Sequence, residues 1–176
     1  GIILSLYIGT ILLLNIPYVQ RQISVLVANE LANVLGTQLT IGRINMGLLN
    51  RIIIDDLLLN DQSGKEMLKV SRLSAKFDIL PLFKGKVSIS NVHVFGFNIN
   101  LEKKTPEDIP NFQFVLDAFA SKDTIKKESN LDIRINSLLI RRGKMSYNVL
   151  SAEETPGKFN AQHIQLRNII ANISLK

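Results

Sequence analysis

The chain has 176 residues, of which 46% are hydrophobic but only 6% aromatic, and it contains neither cysteine nor tryptophan. The absence of cysteine excludes disulfides and thiolate zinc sites, and two histidines, His93 and His163, are too few for most metal centres. The net charge of +6 suits anionic lipid headgroups or nucleic acid, but the basic residues are scattered along the chain, which favours solvated strand edges over a dedicated anion-binding patch.

Residues 1–20, GIILSLYIGTILLLNIPYVQ, contain no charged side chain. A helix of this length rises about 30 Å, the thickness of the hydrocarbon core of a bilayer. We therefore predict a transmembrane anchor, and we rank it above a cleaved secretory signal or a buried core helix, because the stretch has no basic leading region and no small-residue cleavage site. The predicted anchor side chains are Ile2, Ile3, Leu4, Leu6, Ile8, Ile11, Leu12, Leu13 and Leu14.

A second helix is predicted over residues 21–36, because Pro17 should end or kink the first helix near Asn15 and Ile16. Gly36 is placed to cap its C-terminus. Its apolar stripe indicates an amphipathic helix, which we expect to pack on a core rather than lie on a membrane surface, because the opposite face has little positive charge. The stripe comprises Ile23, Val27, Leu31 and Val34.

After Gly36 the spacing of the apolar residues changes from helical to alternating, and a hexapeptide pattern recurs with apolar residues at its first, fourth and sixth positions. A three-residue step within a two-residue period moves side chains to the other face of a strand, unless a bulge or bend accommodates one extra residue. Each copy therefore predicts a bent strand with its apolar side chains on one face. The copies are IGRINM, IDDLLL, VSRLSA, ISNVHV, INSLLI and, more weakly, LRNIIA.

Gly96 and Gly143 follow two of these copies, and we expect each glycine to turn the chain into a return strand, FNINLEK and KMSYNVL respectively. The sheet should therefore be mostly antiparallel. Its first part is predicted over residues 37–104 and its second part over 129–176, and we expect the second part to continue beyond residue 176.

A helical insertion with its following loop is predicted between the two parts, over residues 105–128. Thr105 is a candidate N-cap, and the apolar residues that follow at helical spacing are Phe112, Val115, Leu116 and Phe119. The complete pattern predicts a mainly β protein: an N-terminal transmembrane helix and an amphipathic helix, followed by an elongated, curved antiparallel β-sheet with one helical insertion. The apolar face of this sheet either closes as a dry core or stays open as a groove.

An enzymatic function is not indicated. Asp55 and Asp56 are adjacent, as are Glu153 and Glu154, but neighbouring side chains on a strand point to opposite faces. The sequence has neither a nucleophile-elbow motif nor a glycine-rich phosphate loop, so we expect no catalytic residues, no cofactor and no metal. Nucleic-acid binding has only the net charge in its favour.

Several stretches, in this order, resemble the amino-terminal region of bacterial TamB-like proteins, which are translocation and assembly module proteins of the AsmA-like group. These stretches are IPYVQRQI, LANVLGTQLTIGRI, LNDQSGKEMLKVSRLSAKFDILPLFKGKVSISNVHVFGFNINLEK and PNFQFVLDAF. The resemblance covers most of the chain, although none of the stretches is a catalytic signature.

The resemblance implies a single-pass inner-membrane anchor and a periplasmic β-groove that carries phospholipid toward the outer membrane. It also implies an alternative function, a scaffold for the assembly of outer-membrane proteins with a partner β-barrel of the TamA or BamA type. The family's long repeat body and carboxy-terminal domain have no counterpart in these residues. The groove lining implied for this chain comprises Val87, Ile89, Val92, Val94, Phe97, Ile99, Leu101, Ile133, Ile135, Leu138 and Ile140.

Overall fold

The computed structural model describes residues 1–47, 50–78, 87–124 and 131–174. Within these residues, one six-stranded sheet has its strands in chain order from β1 to β6, which confirms the mainly β prediction. The strands are β1 (Leu39–Gly47), β2 (Arg51–Asn60), β3 (Glu66–Phe77), β4 (Val87–Lys103), β5 (Leu131–Val149) and β6 (His163–Ser174). The helices are α1 (Ile2–Leu14), α2 (Pro17–Leu35) and α3 (Gln113–Thr124).

The first two helices are separated where the sequence predicts a break. Ile16 is extended, with φ −69° and ψ 126°, and Pro17 begins α2, where its missing N–H costs no hydrogen bond. Residues 17–20 therefore belong to α2. Gly36 adopts the left-handed conformation, with φ 65°, and its N–H donates to the Ala32 carbonyl, as predicted for the cap. Within the ranges given above, no helix combines the length and the apolar character needed to cross a bilayer.

Helix α2 packs on the sheet through a different face from the predicted stripe. Leu31 and Val34 are exposed, and the side chains of Ile23 and Val27 lie outside the described part of the structure. The buried side chains follow a spacing of four residues: Gln20, Ser24 and Ala28. Ser24 is 1% exposed and donates to the Gln20 carbonyl at 2.8 Å, so its hydroxyl is satisfied within the helix. Small side chains let the helix approach the sheet closely.

The sheet is mixed rather than antiparallel throughout. Strands β4 and β5 pair in parallel, with Val87 opposite Leu131 and Lys103 opposite Val149, while the other neighbours are antiparallel. The predicted turns at Gly96 and Gly143 are wrong, because β4 and β5 each continue through these positions as one strand. A two-residue hairpin of type I′ needs two successive left-handed residues. Strand β4 has one such residue at Gly96, and β5 has one at Arg142 rather than at Gly143. Strands β4 and β5 are joined instead by a crossover connection that contains α3 and returns the chain to the end of the sheet where β4 begins.

That connection also begins differently from the prediction. Thr105 does not cap a helix; its N–H and hydroxyl both donate to the Asp108 carboxylate at 2.9 Å, which closes a short turn. Pro110 follows, and because proline has no N–H for a helical hydrogen bond, the helix begins only at Gln113.

A line of bends crosses the sheet. In β1, β2, β3 and β6 it lies at the three-residue step of the hexapeptide copy, and in β4 and β5 it lies at Gly96 and Arg142, which follow the copies ISNVHV and INSLLI. Four of the residues on this line have left-handed backbones, with φ 55° at Asp56, 65° at Gly96, 55° at Arg142 and 57° at Asn168. The register is identical on both sides of the bend from β1 to β4, because these strands have their extra residue at the same level. We call this line the crease; its members, from β1 to β6, are Gly42, Asp56, Ser71, Gly96, Arg142 and Asn168.

The extra residues therefore leave the apolar side chains on one face, as predicted. At two points of the crease the backbones come very close together. A Cβ on Gly42 would meet the Asp56 Cβ at 2.9 Å, and a Cβ on Gly96 would meet the Ser71 hydroxyl at 2.8 Å. A separate bulge lies at Ser90, where the register shifts against both β3 and β5, which confirms the phase slip expected in ISNVHV.

Candidate functional site: the two faces of the sheet

The face of the sheet that the hexapeptide pattern predicts as apolar consists of four rows of aligned side chains, which we call the apolar face. Each row crosses the sheet perpendicular to the strands, so branched side chains from neighbouring strands pack side by side. In order from β1 to β6, the rows are Leu39, Leu59, Leu68, Ile99, Met145 and Leu166; Ile41, Leu57, Val70, Phe97, Gly143 and Ile169; Ile44, Ile54, Leu73, Val94, Ile140 and Ala171; and Met46, Ile52, Ala75, Val92, Leu138 and Ile173.

The structure brings the implied lining residues of β4 and β5 together on this face. Val92 lies opposite Leu138, and Val94 lies opposite Ile140, through the parallel pairing. These four side chains are half-buried, as are Ile99 and Leu101, while Phe97 is buried. The backbones of Val87 and Ile89 pair with those of Leu131 and Ile133, but the side chains of Val87, Ile89, Ile133 and Ile135 lie outside the described part of the structure.

The implied lining omits residues of β2, β3 and β6 that belong to the same face. Val70, Leu73 and Ala75 continue the rows of Phe97, Val94 and Val92 onto β3, and Ile173 continues the last row onto β6. The signal that would have found the β2 and β3 members is the hexapeptide pattern itself, since IDDLLL and VSRLSA have it as clearly as ISNVHV does.

Phe97 and Gly143 form the closest packing between β4 and β5. A Cβ on Gly143 would overlap the Phe97 ring, so the ring lies directly over the glycine backbone of the neighbouring strand. Phe97 is 8% exposed in this position. An aromatic ring packed over a glycine restores the apolar contact that the missing side chain would otherwise leave out of the row.

Only part of the apolar face is covered by the described helices. A core cluster at the β1 to β3 side comprises Ala28 of α2 with Leu39, Ile41, Leu59 and Met67. Packed against it are Phe112, just before α3, and Phe114 and Val115 in its first turn. Val92, Val94, Leu138 and Ile140 are outside this cluster. At the β6 edge, Leu166 and Ile173 are 45% and 41% exposed. The face is therefore closed at one side and accessible at the other within the described residues.

A buried carboxylate holds the closed side together. Asp61, in the loop between β2 and β3, is 4% exposed and accepts the Ser63 hydroxyl at 2.6 Å, the Ser63 N–H at 2.9 Å and the Lys65 N–H at 3.0 Å. Asn111, just before α3, donates to its other oxygen at 3.5 Å. Burial alone would raise the pKa of Asp61, but the hydrogen bonds from Ser63, Lys65 and Asn111 outweigh burial and lower this pKa.

Asn111 also fixes the start of α3 to β4. Its amide accepts from the Glu102 N–H at 3.0 Å and donates to the Asn100 carbonyl at 3.1 Å, and its own N–H donates to the Glu102 carbonyl at 2.9 Å. Asn111 therefore joins the start of α3, which covers the core cluster, to both Asp61 and β4. The stretch from Asp61 to Gly64 is a common turn sequence, but nothing in the sequence indicates that Asn111, fifty residues later, contacts Asp61.

The opposite face of the sheet, which we call the polar face, is lined mainly by charged and amide side chains. Arg72 donates from Nε to Asp55 Oδ1 at 2.6 Å and from Nη2 to Oδ2 at 3.3 Å, a two-pronged ion pair across β2 and β3. This contact with the Asp55 carboxylate raises the pKa of Arg72. Next to it, the Arg142 guanidinium lies 5.1 Å above the Phe95 ring centre.

His93 also lies on the polar face, where its Nδ1 is 3.4 Å from Arg51 Nη1. Arg51 in turn donates to the Ser74 hydroxyl at 3.1 Å. His163 contacts Asn148 and the Ala152 carbonyl near the start of β6. Among the residues that the structure describes, no three His, Asp or Glu side chains come together as a metal site.

The predicted anchor residues lie on α1 and are exposed rather than packed on the sheet. Ile3 is 85% exposed and Leu12 66%. Asn15, at the end of α1, donates to the Met46 carbonyl at 3.4 Å, so α1 leaves the sheet beside the C-terminal end of β1. The other exposed members are Ile2, Leu4, Leu6, Ile8 and Leu13, and the side chains of Ile11 and Leu14 lie outside the described part.

Comparisons with known proteins do not extend this description, because no protein-family model, no curated protein and no solved structure gives a significant match to the chain. The resemblance to TamB-like proteins therefore remains a hypothesis supported by the residues quoted above.

Proposed function

We propose that this protein binds phospholipid on the accessible side of its apolar face and carries it between membranes, as a bridge-like lipid-transfer protein. The observation that supports this proposal is the half-buried patch formed by Val92, Val94, Leu138 and Ile140, which continues the core rows beyond the helices that cover them. Acyl chains lying on this patch would be shielded from water, while the headgroup stays in solvent.

The energetics suit a carrier. Burying one methylene group is worth about 0.8 kcal/mol, so an acyl chain that covers a patch of this size gains several kcal/mol over water. The patch contains no charged or hydrogen-bonding side chain that would read a headgroup, so we expect little selectivity among phospholipids. The mechanism needs no chemical step, and we assign no catalytic residue.

The exposed apolar helix α1 has the composition of a membrane-binding segment, with Ile and Leu side chains at most positions and no charge. In the proposed arrangement α1 attaches the protein to the inner membrane and the sheet lies in the periplasm. This location rests on the resemblance to TamB-like proteins together with the exposure of α1.

Photocrosslinking tests the proposal directly. A benzoylphenylalanine placed at Ile140, on the accessible part of the apolar face, should form adducts with phosphatidylcholine that mass spectrometry detects. The matched control is the same residue at Ser146, on the same strand but on the polar side, where the Ser146 hydroxyl donates to Asn100 at 3.0 Å.

Adducts at Ile140 with few at Ser146 would support a lipid path along the apolar face. Equal labelling at both positions, or none at either in a variant that keeps its circular dichroism spectrum, would contradict it. Neutral lipid is used so that attraction between charges does not contribute to the result.

A second candidate function is supported by the edge of the sheet. Strand β6 has twelve residues and pairs with β5 on one side only within the described chain, which leaves backbone donors and acceptors on its other side. Such an edge can accept a strand from another protein, as a scaffold for outer-membrane protein assembly with a partner barrel would require. Charged substitutions at Val94 and Leu138 should abolish lipid adducts at position 140 and leave this second activity intact.

A further inference from the structure

The positive charge of this protein is concentrated on one surface, although its basic residues are scattered in the sequence. Nine Lys and Arg side chains lie on the polar face or on the crease beside it: Arg43, Arg51, Lys69, Arg72, Lys76, Arg141, Arg142, Lys144 and Arg167. All except Arg51 and Lys76 are exposed.

The acidic residues do not balance this group. Asp55 and Asp56 are the acidic residues in the same central region, and Asp55 is paired with Arg72. Glu66 and Glu102 lie on the same face toward its end, opposite Asn60 and Asn148, so nine basic and four acidic side chains give the described part of this face a net charge of +5. The whole chain has a net charge of +6.

One row of this face is especially basic. Lys69, Asn98, Lys144 and Arg167 are aligned across β3 to β6, and the three basic side chains are exposed. Arg167 contacts Gln165 at 3.3 Å, and no ion pair involving these three is present among the described residues. We call Lys69, Lys144 and Arg167 the basic row. Helix α1 leaves the sheet near Met46, at the other end of β1, and therefore does not cover the basic row.

The shape of the face indicates which polyanion it fits. Six strands spaced about 4.8 Å apart form a broad surface rather than a projecting helix or ribbon that would enter a groove of nucleic acid. The one aromatic side chain in the described rows of this face, Phe95, is stacked under Arg142 and does not present a free ring to a base. A planar array of anionic headgroups matches this geometry better.

We propose that the polar face is an electrostatic docking surface for a bilayer that contains anionic phospholipid, with the basic row at its centre. Headgroup phosphates would lie against Lys69, Lys144 and Arg167, while the apolar face stays turned away from that bilayer. This docking is independent of lipid transfer along the apolar face, so either proposal can fail without the other.

A fluorescence assay with the full chain tests the docking. The protein has no cysteine, so Asn98→Cys provides a single labelling position within the basic row for an environment-sensitive dye. The dye signal is titrated with vesicles that mix phosphatidylglycerol and phosphatidylcholine, and with vesicles of phosphatidylcholine alone. Insertion of α1 contributes to both titrations. The apparent dissociation constant for phosphatidylcholine vesicles, divided by that for the mixed vesicles, therefore isolates the contribution of the anionic lipid.

The double variant Lys69→Glu/Lys144→Glu should reduce this ratio by about 30-fold or more, since each basic side chain near an anionic surface contributes to binding and the replacements repel it. The matched control is Lys104→Glu/Lys158→Glu, which changes the net charge equally at two exposed positions outside the strands and should leave the ratio unchanged.

Equal losses in the two double variants would overturn the proposal, because binding would then follow the net charge rather than the face. An unchanged ratio in both would overturn it as well. If double-stranded DNA binds more tightly than anionic vesicles at the same salt concentration, and only the Lys69→Glu/Lys144→Glu variant loses that binding, the face is a nucleic-acid surface and not a membrane surface.

Discussion

The two sides of the apolar face are built from the same hexapeptide pattern but differ in what covers them. At the β1 to β3 side, Leu59 and Met67 are 5% and 4% exposed beneath α2 and the start of α3. At the β6 side, Ile173 lies on the same face, at the end of a different row, and is 41% exposed. The strand pattern determines which way a side chain points, whereas the connections outside the sheet determine whether it is buried.

This difference bears on the proposed function, because a fully covered face would serve only stability. Under that proposal, an apolar surface that continues from a closed core onto an accessible patch would combine a stable foundation with a place for an acyl chain in the same sheet. The predictions below test whether side chains at the two sides contribute differently to the free energy of unfolding, as their difference in exposure implies.

The largest effect is expected from truncating a side chain at the closed side. Leu59→Ala should lower the free energy of unfolding by about 3 kcal/mol, because it leaves a cavity in the core cluster. The matched substitution at the open side, Ile173→Ala, should cost about 1 kcal/mol, since part of its side chain already lies in water and no enclosed cavity is left behind. Urea unfolding measures both, and similar losses would show that the β6 side is also a closed core.

A smaller but still clear effect is expected where the two sides meet. Gly143→Ala should lower the free energy of unfolding by about 2 kcal/mol, because the new methyl group overlaps the buried Phe97 ring. In the background of Phe97→Ala, the same substitution should cost very little, since the ring is gone. A double-mutant cycle measured by urea unfolding gives the coupling. Additive effects would mean that the ring does not lie over the glycine.

The third effect depends on pH. Asp61→Ala should cost about 1–2 kcal/mol at neutral pH, because Ser63, Lys65 and Asn111 lose a charged acceptor. The pKa of Asp61 is lowered from 3.8 on folding, so its contribution is complete above 3.8 and is lost as the pH falls through the lower folded-state pKa. The difference in unfolding free energy between the wild type and the variant should therefore shrink on acidification.

An Asp61→Ala difference that stays constant down to the most acidic pH would contradict this assignment. Asp108→Ala provides the comparison, because Asp108 accepts from Thr105 in an exposed turn and does not join the cover to the sheet. Its effect should be the smaller of the two at neutral pH.

The sequence predicted the local features of the sheet better than their connections. The three-residue steps at Asp56 and Asn168 correctly indicated bends, and the slip at Ser90 correctly indicated a bulge. Gly96 was misinterpreted as a turn because a glycine with positive φ is compatible with a hairpin and with a bend, and the difference depends on the residue beside it. A hairpin at Gly96 would divide β4 into two antiparallel strands. The parallel pairing of the undivided β4 with β5 was therefore missed for the same reason.

The charged surface was missed for a different reason. Lys69, Lys144 and Arg167 are far apart in the sequence, so the scatter of basic residues indicated solvated strand edges. The alternation of side chains along each strand places these three residues on one face. Their alignment into one row depends on the register of the four strands β3 to β6, and that register depends on the crease. The packing face of α2 was also missed, since Ser24 and Ala28 give a weaker periodic signal than Leu31 and Val34.

The crease restricts what can pair with the β6 edge. The left-handed residue Asn168 interrupts the alternation of that edge at one level, between Leu166 and Ile169. A partner strand with a perfectly regular alternation would match the apolar face on one side of Asn168 and present the wrong side chains on the other. A strand that adds to this edge, as the proposed scaffold function would require, would therefore need its own extra residue at the same level, which would make the edge selective for the sequence of its partner.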